Sequence, residues 1–222
     1  MEVILISLGG SVIVPDRIDV GFLKKFRKLI LKQKNRKFVV VCGGGKTCRR
    51  YQKAASEITK TGEEDLDWLG IHATRLNAHL LRTVFGDAAH KKVISGFREK
   101  IVFREKILVA SGWKPGCSTD YDAVMLAKNL GVKKIINISN IDCVYDKNPK
   151  KFRKAKPLSR ISWKEFRKMV GSKWSPGMNM PFDPVASREA QKSGAKVFIV
   201  GKSVENLGRV FSGRSFRGTV IS

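Results

Sequence analysis

The sequence predicts an α/β fold, a mostly parallel sheet covered by helices on both faces. Three observations carry that prediction. Short apolar runs alternate along the chain with stretches whose apolar residues step by three and four. Two of those runs, Val3-Ile4-Leu5-Ile6 and Val39-Val40-Val41-Cys42, lead straight into glycine turns, Leu8-Gly9-Gly10-Ser11 and Gly43-Gly44-Gly45. A chain of 222 residues at 42% apolar content can bury one full core, and neither a repeat nor a linker divides it.

Strands are expected at 3–7, 38–42, 106–110, 133–138, 196–200 and 218–221. Between the first two, Leu23, Phe26 and Ile30 repeat at helical spacing beside the basic run 24–37, which reads as a surface helix with a core stripe. A long helix follows, with Leu66, Leu69, Ala73, Leu76, Leu80 and Val84 as its expected buried side. Ala123, Leu126, Ala127 and Leu130 mark another, capped by Ser118 or Thr119. Asp183-Pro184 reads as a cap and a first-turn proline opening a third. The basic segment 149–157 reads as an exposed loop.

With 44 Lys+Arg against 19 Asp+Glu, the formal charge is +25. That suits an anionic partner, nucleotide or RNA, yet also suits a merely solvated basic surface. The absence of aromatics interleaved with the basic run favours the solvated reading and leaves nonspecific RNA contact open. The apolar runs are too short to cross a bilayer. Glu2 does not fit a signal peptide. Cys42, Cys48, Cys117 and Cys143 have neither metal-ligand nor disulfide-framework spacing, so a cytoplasmic protein with no bound metal is expected.

Chemistry-bearing residues gather where strands end. Glycine lets backbone N–H groups approach a ligand, and a following helix start adds partial positive charge, a combination suited to phosphate. Beyond the third strand, Ser111 to Asp120 combines flexible backbone, hydroxyls and a carboxylate. Alone it reads equally as a capped strand-to-helix loop or as a grip on a phosphorylated substrate. After the fourth strand, Ser139 to Pro149 adds Asp142, Tyr145 and Asn148. In open α/β sheets, ligands bind at the carboxyl ends of the strands.

Together these residues resemble the amino acid kinase superfamily, most closely the archaeal-type UMP kinases. The specific parts are Gly43-Gly44-Gly45-Lys46 with Arg49, Asp67 and Gly70, the run Gly112 to Asp120, Asn140-Ile141-Asp142 with Val144-Tyr145, and Phe182-Asp183-Pro184. The resemblance implies a three-layer α/β/α sandwich over 1–222, its N-terminal half binding UMP and its C-terminal half ATP. It also implies a homo-oligomer, with a hexamer favoured. Ser7, Leu8, Gly9, Gly10, Ser11, Gly45, Arg49, Ser139, Tyr145 and Asn148 would line the ATP site. Gly44, Asp67, Trp113, Lys114, Pro115, Gly116, Cys117, Ser118 and Thr119 would line the UMP site. Asp67 would accept hydrogen bonds from the ribose hydroxyls, and Tyr145 would lie near the adenine. Isopentenyl phosphate kinases carry histidine at the position of Arg49.

Three departures stand out. Ser7 and the run Met180-Pro181-Phe182 occupy places where many members have lysines, and Asn148 replaces an aspartate. Lys46, Arg49 and Lys114 are then the candidate cations. Phosphoryl transfer is mostly positioning and charge stabilisation. A UMP phosphate is already largely dianionic near neutral pH and attacks without a base. Asp120 and Asp142, with Arg49 and Lys46, form the expected catalytic set; the aspartates organise the Mg²⁺ carried by ATP, its waters and nearby cations. Rival readings are a kinase of another small phosphate or carboxylate, and a nucleotide- or RNA-binding homologue without catalysis.

Overall fold

A computed structural model describes residues 1–97, 99–149, 151–173 and 180–222. In chain order the elements are β1 (Glu2–Leu8), α1 (Gly10–Ile13), α2 (Val20–Leu31), β2 (Arg36–Cys42), α3 (Gly45–Ile58), α4 (Glu63–Phe85), β3 (Ile107–Ala110), α5 (Thr119–Asn129) and β4 (Lys134–Ile138). Then come β5 (Val144–Tyr145), β6 (Pro157–Leu158), β7 (Arg160–Ile161), α6 (Trp163–Val170), α7 (Pro184–Ser193), β8 (Lys196–Val200), α8 (Val204–Phe211) and β9 (Thr219–Ile221).

Seven strands form one sheet in the order β3-β2-β1-β4-β8-β9-β7. The first five run parallel; β9 lies antiparallel to β8, and β7 parallel to β9. The parallel strands are apolar on both faces because both are covered. Ile4, Ile6 and Leu8 pack with Phe26 of α2, Leu81 and Phe85 of α4, and Phe211 of α8. Leu5, Val39 and Leu108 pack the other way, with Val124 of α5, Phe166 of α6 and Ala186 of α7. The result is the three-layer sandwich expected.

All six expected strands form, with ends within two residues of the expected ones. The two-residue strands β5, β6 and β7 are additions, too short to show a period. β5 and β6 pair as a separate arm, tied to β9 where the Val144 amide donates to the Thr219 hydroxyl over 2.8 Å. The basic run is only partly helical: α2 ends at Leu31, and Arg36 and Lys37 open β2. The loop ahead of β6 is exposed as expected where described; Lys150 lies outside the described residues.

The long helix forms, but its buried side follows the expected stripe only in part, Ala73 being buried and Leu80 and Val84 packing against the core. It buries Ile71, Ala73, Thr74, Asn77, Ala78, Leu81 and Phe85, while Leu76 is 64% exposed. The reason is polar. Thr74 and Asn77 face the interior because their side chains bond backbone of the loops beyond β3 and β2, and Leu76 is left on the outer side.

Candidate active site

The two glycine turns interlock. A Cβ on Gly10 would overlap the Gly44 and Gly45 amides, and one on Gly45 would overlap the Gly10 carbonyl. Gly45 also has φ +68°, a left-handed conformation that glycine adopts without strain. The Gly43 amide donates to the Leu8 carbonyl at 2.9 Å, and the Gly9 amide to the Ile138 carbonyl at 2.8 Å. Asn77 of α4 holds the second turn from behind, its amide donating to the Gly43 and Gly44 carbonyls at 2.8 and 3.2 Å. Leu8 has its side chain in the core, so only its backbone borders the site.

α3 leaves this junction carrying Lys46 and Arg49, three residues apart and hence on one face. Arg49 is exposed, and neither cation forms an ion pair among the described residues. The Lys46 amide donates to the Val14 carbonyl, fixing the helix start. Ser11, in α1 beside the turn, is partly exposed.

Asp120 lies where three elements meet. Its Oδ1 accepts from the Ser7 hydroxyl and from the Asn137 amide, each at 2.9 Å, and its Oδ2 accepts from the Asp183 amide at 3.2 Å. β1, β4 and the start of α7 are thereby tied to the head of α5. Burial, the largest cause, pushes the Asp120 carboxyl up to about 7 against the Ser7 bond, with Asp183 adding to the rise. Asp183 caps α7 through the Ala186 amide, followed by Pro184, as its sequence indicated.

The loop from Gly112 to Ser118 is pinned by its amides. Thr74 Oγ1 accepts from Gly112 at 2.8 Å, Asp122 Oδ2 from Trp113 at 3.1 Å, and Asp67 Oδ2 from Gly116 at 2.7 Å. Asp67 thus spends one oxygen on the loop expected to share its ligand. Lys114 lays its Nζ 4.4 Å from the Trp113 ring centre, and that ring packs 4.6 Å from Phe97. Pro115 and Gly116 form the turn, Gly116 at φ +79°. Desolvation raises the Cys117 thiol to about 11, so it stays protonated at neutral pH. Ser118 caps α5 by accepting from the Tyr121 amide, and Thr119 is the first helical residue.

Asp142 keeps different company from Asp120. Half exposed, it pairs with Arg217 at 3.1 Å and lies against Gly201 at the end of β8, where a Cβ would overlap it. The Tyr145 hydroxyl contacts the Cys143 thiol and the same Arg217; the thiol is the main reason its proton is held more tightly. Asn206 fixes Arg217 by bonding its amide and carbonyl at 2.8 and 2.7 Å. Ser139 donates its amide to Val200 and its hydroxyl to Asn140, and the exposed Asn148 accepts at its carbonyl from Lys151 and Phe152.

The strand ends therefore hold the glycine turns, Asp120 and the Gly112 loop beside β1, β2 and β3, and the Asp142, Tyr145 and Arg217 group beside β4, β8 and β9. Sequence reading missed Thr74, Asn77, Asp122, Asn137 and Arg217. Asn137 had a signal, a buried polar residue inside Ile135-Ile136-Asn137-Ile138. Among the described residues no three His, Cys, Asp or Glu side chains gather to hold a metal ion.

Comparison with known proteins extends this picture over the whole chain. The uridylate kinase of Pyrococcus abyssi is 37% identical over 203 residues, 90% of either chain. That of Thermococcus kodakarensis is 35% identical over 98% of either chain. The crystal structure of uridylate kinase from Archaeoglobus fulgidus superposes with a TM-score of 0.84 at 34% identity, covering all of both chains. The sequence pattern of the amino acid kinase family matches residues 2–201, a span that takes in both glycine turns, Asp120 and the Asp142 loop. The chain belongs to the amino acid kinase family.

Proposed function

We propose that this protein is an ATP-dependent UMP kinase, transferring the γ-phosphoryl group of ATP to UMP to form UDP in pyrimidine nucleotide synthesis. The observation that carries this reading is end-to-end similarity to archaeal uridylate kinases, with every chemistry-bearing loop on one edge of the sheet. Residues 1–222 act as a single unit, the N-terminal half taking UMP and the C-terminal half ATP.

The division of labour follows the family resemblance. Gly44, Lys114, Gly116 to Thr119 and the free oxygen of Asp67 receive UMP. Gly9, Gly10, Ser11, Gly45, Arg49, Ser139, Tyr145 and Asn148 receive ATP. Mg²⁺ carried with ATP would supply charge neutralisation at the donor phosphates, with Asp120 and Asp142 as the carboxylates that would organise it and its waters. The UMP phosphate oxygen attacks the γ-phosphorus, the bond to the ADP oxygen breaks, and Lys46 and Arg49 stabilise the charge in between. Asp120 acts by position: it holds Ser7, Asn137 and the head of α7 around the transfer point and accepts no proton from UMP.

The protein assembles as a homo-oligomer, a hexamer being the favoured form. Support comes from α3 and α4, which leave Tyr51, Ile58, Trp68 and Leu76 exposed. No helix among the described residues is long and apolar enough to cross a membrane, and all four cysteines are free, in keeping with a cytoplasmic enzyme. The +25 charge supports weak, salt-sensitive contact with RNA.

Release of ADP in a coupled assay, with UMP, dUMP, CMP and isopentenyl phosphate as acceptors, tests the reading. UMP should be turned over best. Preference for isopentenyl phosphate, or no ADP release with any nucleotide, would overturn it.

A further inference from the structure

We propose that Asp122 is a positioning residue of the acceptor site: its buried carboxyl ties down the Trp113 amide and so decides which N–H groups of the Gly112–Ser118 loop are left for the acceptor's phosphate. The inference rests on the kinase reading for the identity of the acceptor, and on geometry for the tether.

Asp120 and Asp122 are two residues apart on α5, so they project about 200° apart around its axis. Asp120 meets the sheet; Asp122 meets the loop. Asp122 is only 1% exposed. One oxygen accepts from Trp113, while the other, Oδ1, is buried without a partner. No described cation pairs with it, and the charged neighbours that act on it, Asp120 and Asp183, are acidic. Cys117 and Tyr121 also lie close, and neither supplies positive charge.

Burying a carboxyl with a single hydrogen bond and no counter-charge costs stability. An apolar side chain would fill the same place at lower cost. The one interaction obtained in return is the bond to the loop, which points to the loop as the beneficiary.

The benefit is selection among amides. Thr74, Asp122 and Asp67 occupy the N–H groups of Gly112, Trp113 and Gly116, and Pro115 has none. The Lys114, Cys117 and Ser118 amides have no acceptor among the described residues. They run into the N-terminus of α5, where successive free N–H groups favour an anion. Without the Asp122 tether, Trp113 is released and the register of those free amides is lost.

The test compares Asp122→Val, which fills the space without an acceptor, with Asp122→Asn, whose side-chain oxygen still accepts from Trp113. Hydrogen exchange at the Trp113 amide reads the tether, and separate KM values for UMP and ATP read its consequence. In Asp122→Val, the Trp113 amide should exchange at least about tenfold faster and KM for UMP should rise about tenfold, the usual worth of one hydrogen bond. KM for ATP should stay within about twofold, and the melting temperature should not fall, because removing the buried carboxyl offsets the lost hydrogen bond and no cavity is left. Asp122→Asn should restore both the protection and the UMP value; Asp122→Ala serves if the valine variant does not fold. An unchanged UMP value despite lost protection, or equal rises in both KM values, would overturn the proposal, as would an Asn variant that behaves like Val. If the wild type binds no UMP by calorimetry, the kinase reading falls. The exchange data then still judge the tether, which is ended if Asp122→Val keeps Trp113 protected.

Discussion

Ser7 donates its hydroxyl to Asp120 across 2.9 Å, joining the end of β1 to the head of α5. Many members of the superfamily that this sequence resembles have lysine at the Ser7 position. A hydroxyl supplies a hydrogen bond but no charge, so no cation offsets burial of the aspartate. The raised affinity of Asp120 for its proton is a direct result. The departure at Ser7 and the electrostatics of Asp120 are one fact seen from two sides.

Replacing Asp120 by Asn should cut turnover by on the order of a hundredfold or more, the scale of losing a group fixed at the transfer point. The amide can still accept from Ser7 or Asn137. Its NH₂ would then face the Asp183 amide, donor against donor. Circular dichroism should show an intact fold beside the lost rate. A near-normal turnover number removes Asp120 from the mechanism.

The carboxyl of Asp122, like that of Asp120, is pushed up to about 7 from an ordinary 3.8, mainly by burial. Across that window the folded protein holds protons that the unfolded chain has released. The contribution of these two groups to stability is therefore greatest at the acid end, falls as pH rises towards 7 and levels off above it. Asp122→Asn removes one group's share, so its urea midpoint should decline less between pH 4 and pH 8. Parallel declines for variant and wild type would show that Asp122 titrates alike in both states.

Arg49 is expected to hold phosphate oxygens through its planar fork. Arg49→Ala should lower kcat/KM for UMP phosphorylation by about 2–4 kcal/mol, the size of a lost transition-state donor. Arg49→Lys should recover part, keeping charge without the fork. Arg49→His should not bring activity on isopentenyl phosphate, since the loop at Gly112 is untouched. Full efficiency in the alanine variant would reassign the residue to the solvated surface.

Gly10→Ala should be poorly tolerated. Its methyl group would meet the Gly44 and Gly45 backbone, which no rotamer change relieves. A loss of about 1–3 kcal/mol is the usual range for overpacking. Thermal melts and nucleotide titrations should fall together, and a variant with native stability would contradict the backbone contact.

Much of this was legible in the sequence. The parallel strands announce themselves as apolar runs, and the caps at Ser118 and Asp183 follow from local hydrogen bonding. The rest depends on partners distant in the chain. The buried side of α4 is set by Thr74 meeting Gly112 and Asn77 meeting Gly43, 38 and 34 residues away, and no periodicity encodes such pairs. Arg217 sits 75 residues from Asp142, so only the fold reveals that they touch. Asp122 carries no signal in the sequence because burial, not spacing, makes it unusual.

The interlocked glycine turns also bear on motion. Backbone packed on backbone has no side chain to rearrange, so β1 and β2 end in a junction that cannot open without breaking. Any closure around substrates must come from parts hung on that junction: the Gly112 loop, whose amides are held by three single hydrogen bonds, and the β5–β6 arm, tied through Thr219. Fast relaxation during turnover should accordingly concentrate in these two segments, with Gly9 to Ser11 and Gly43 to Gly45 still.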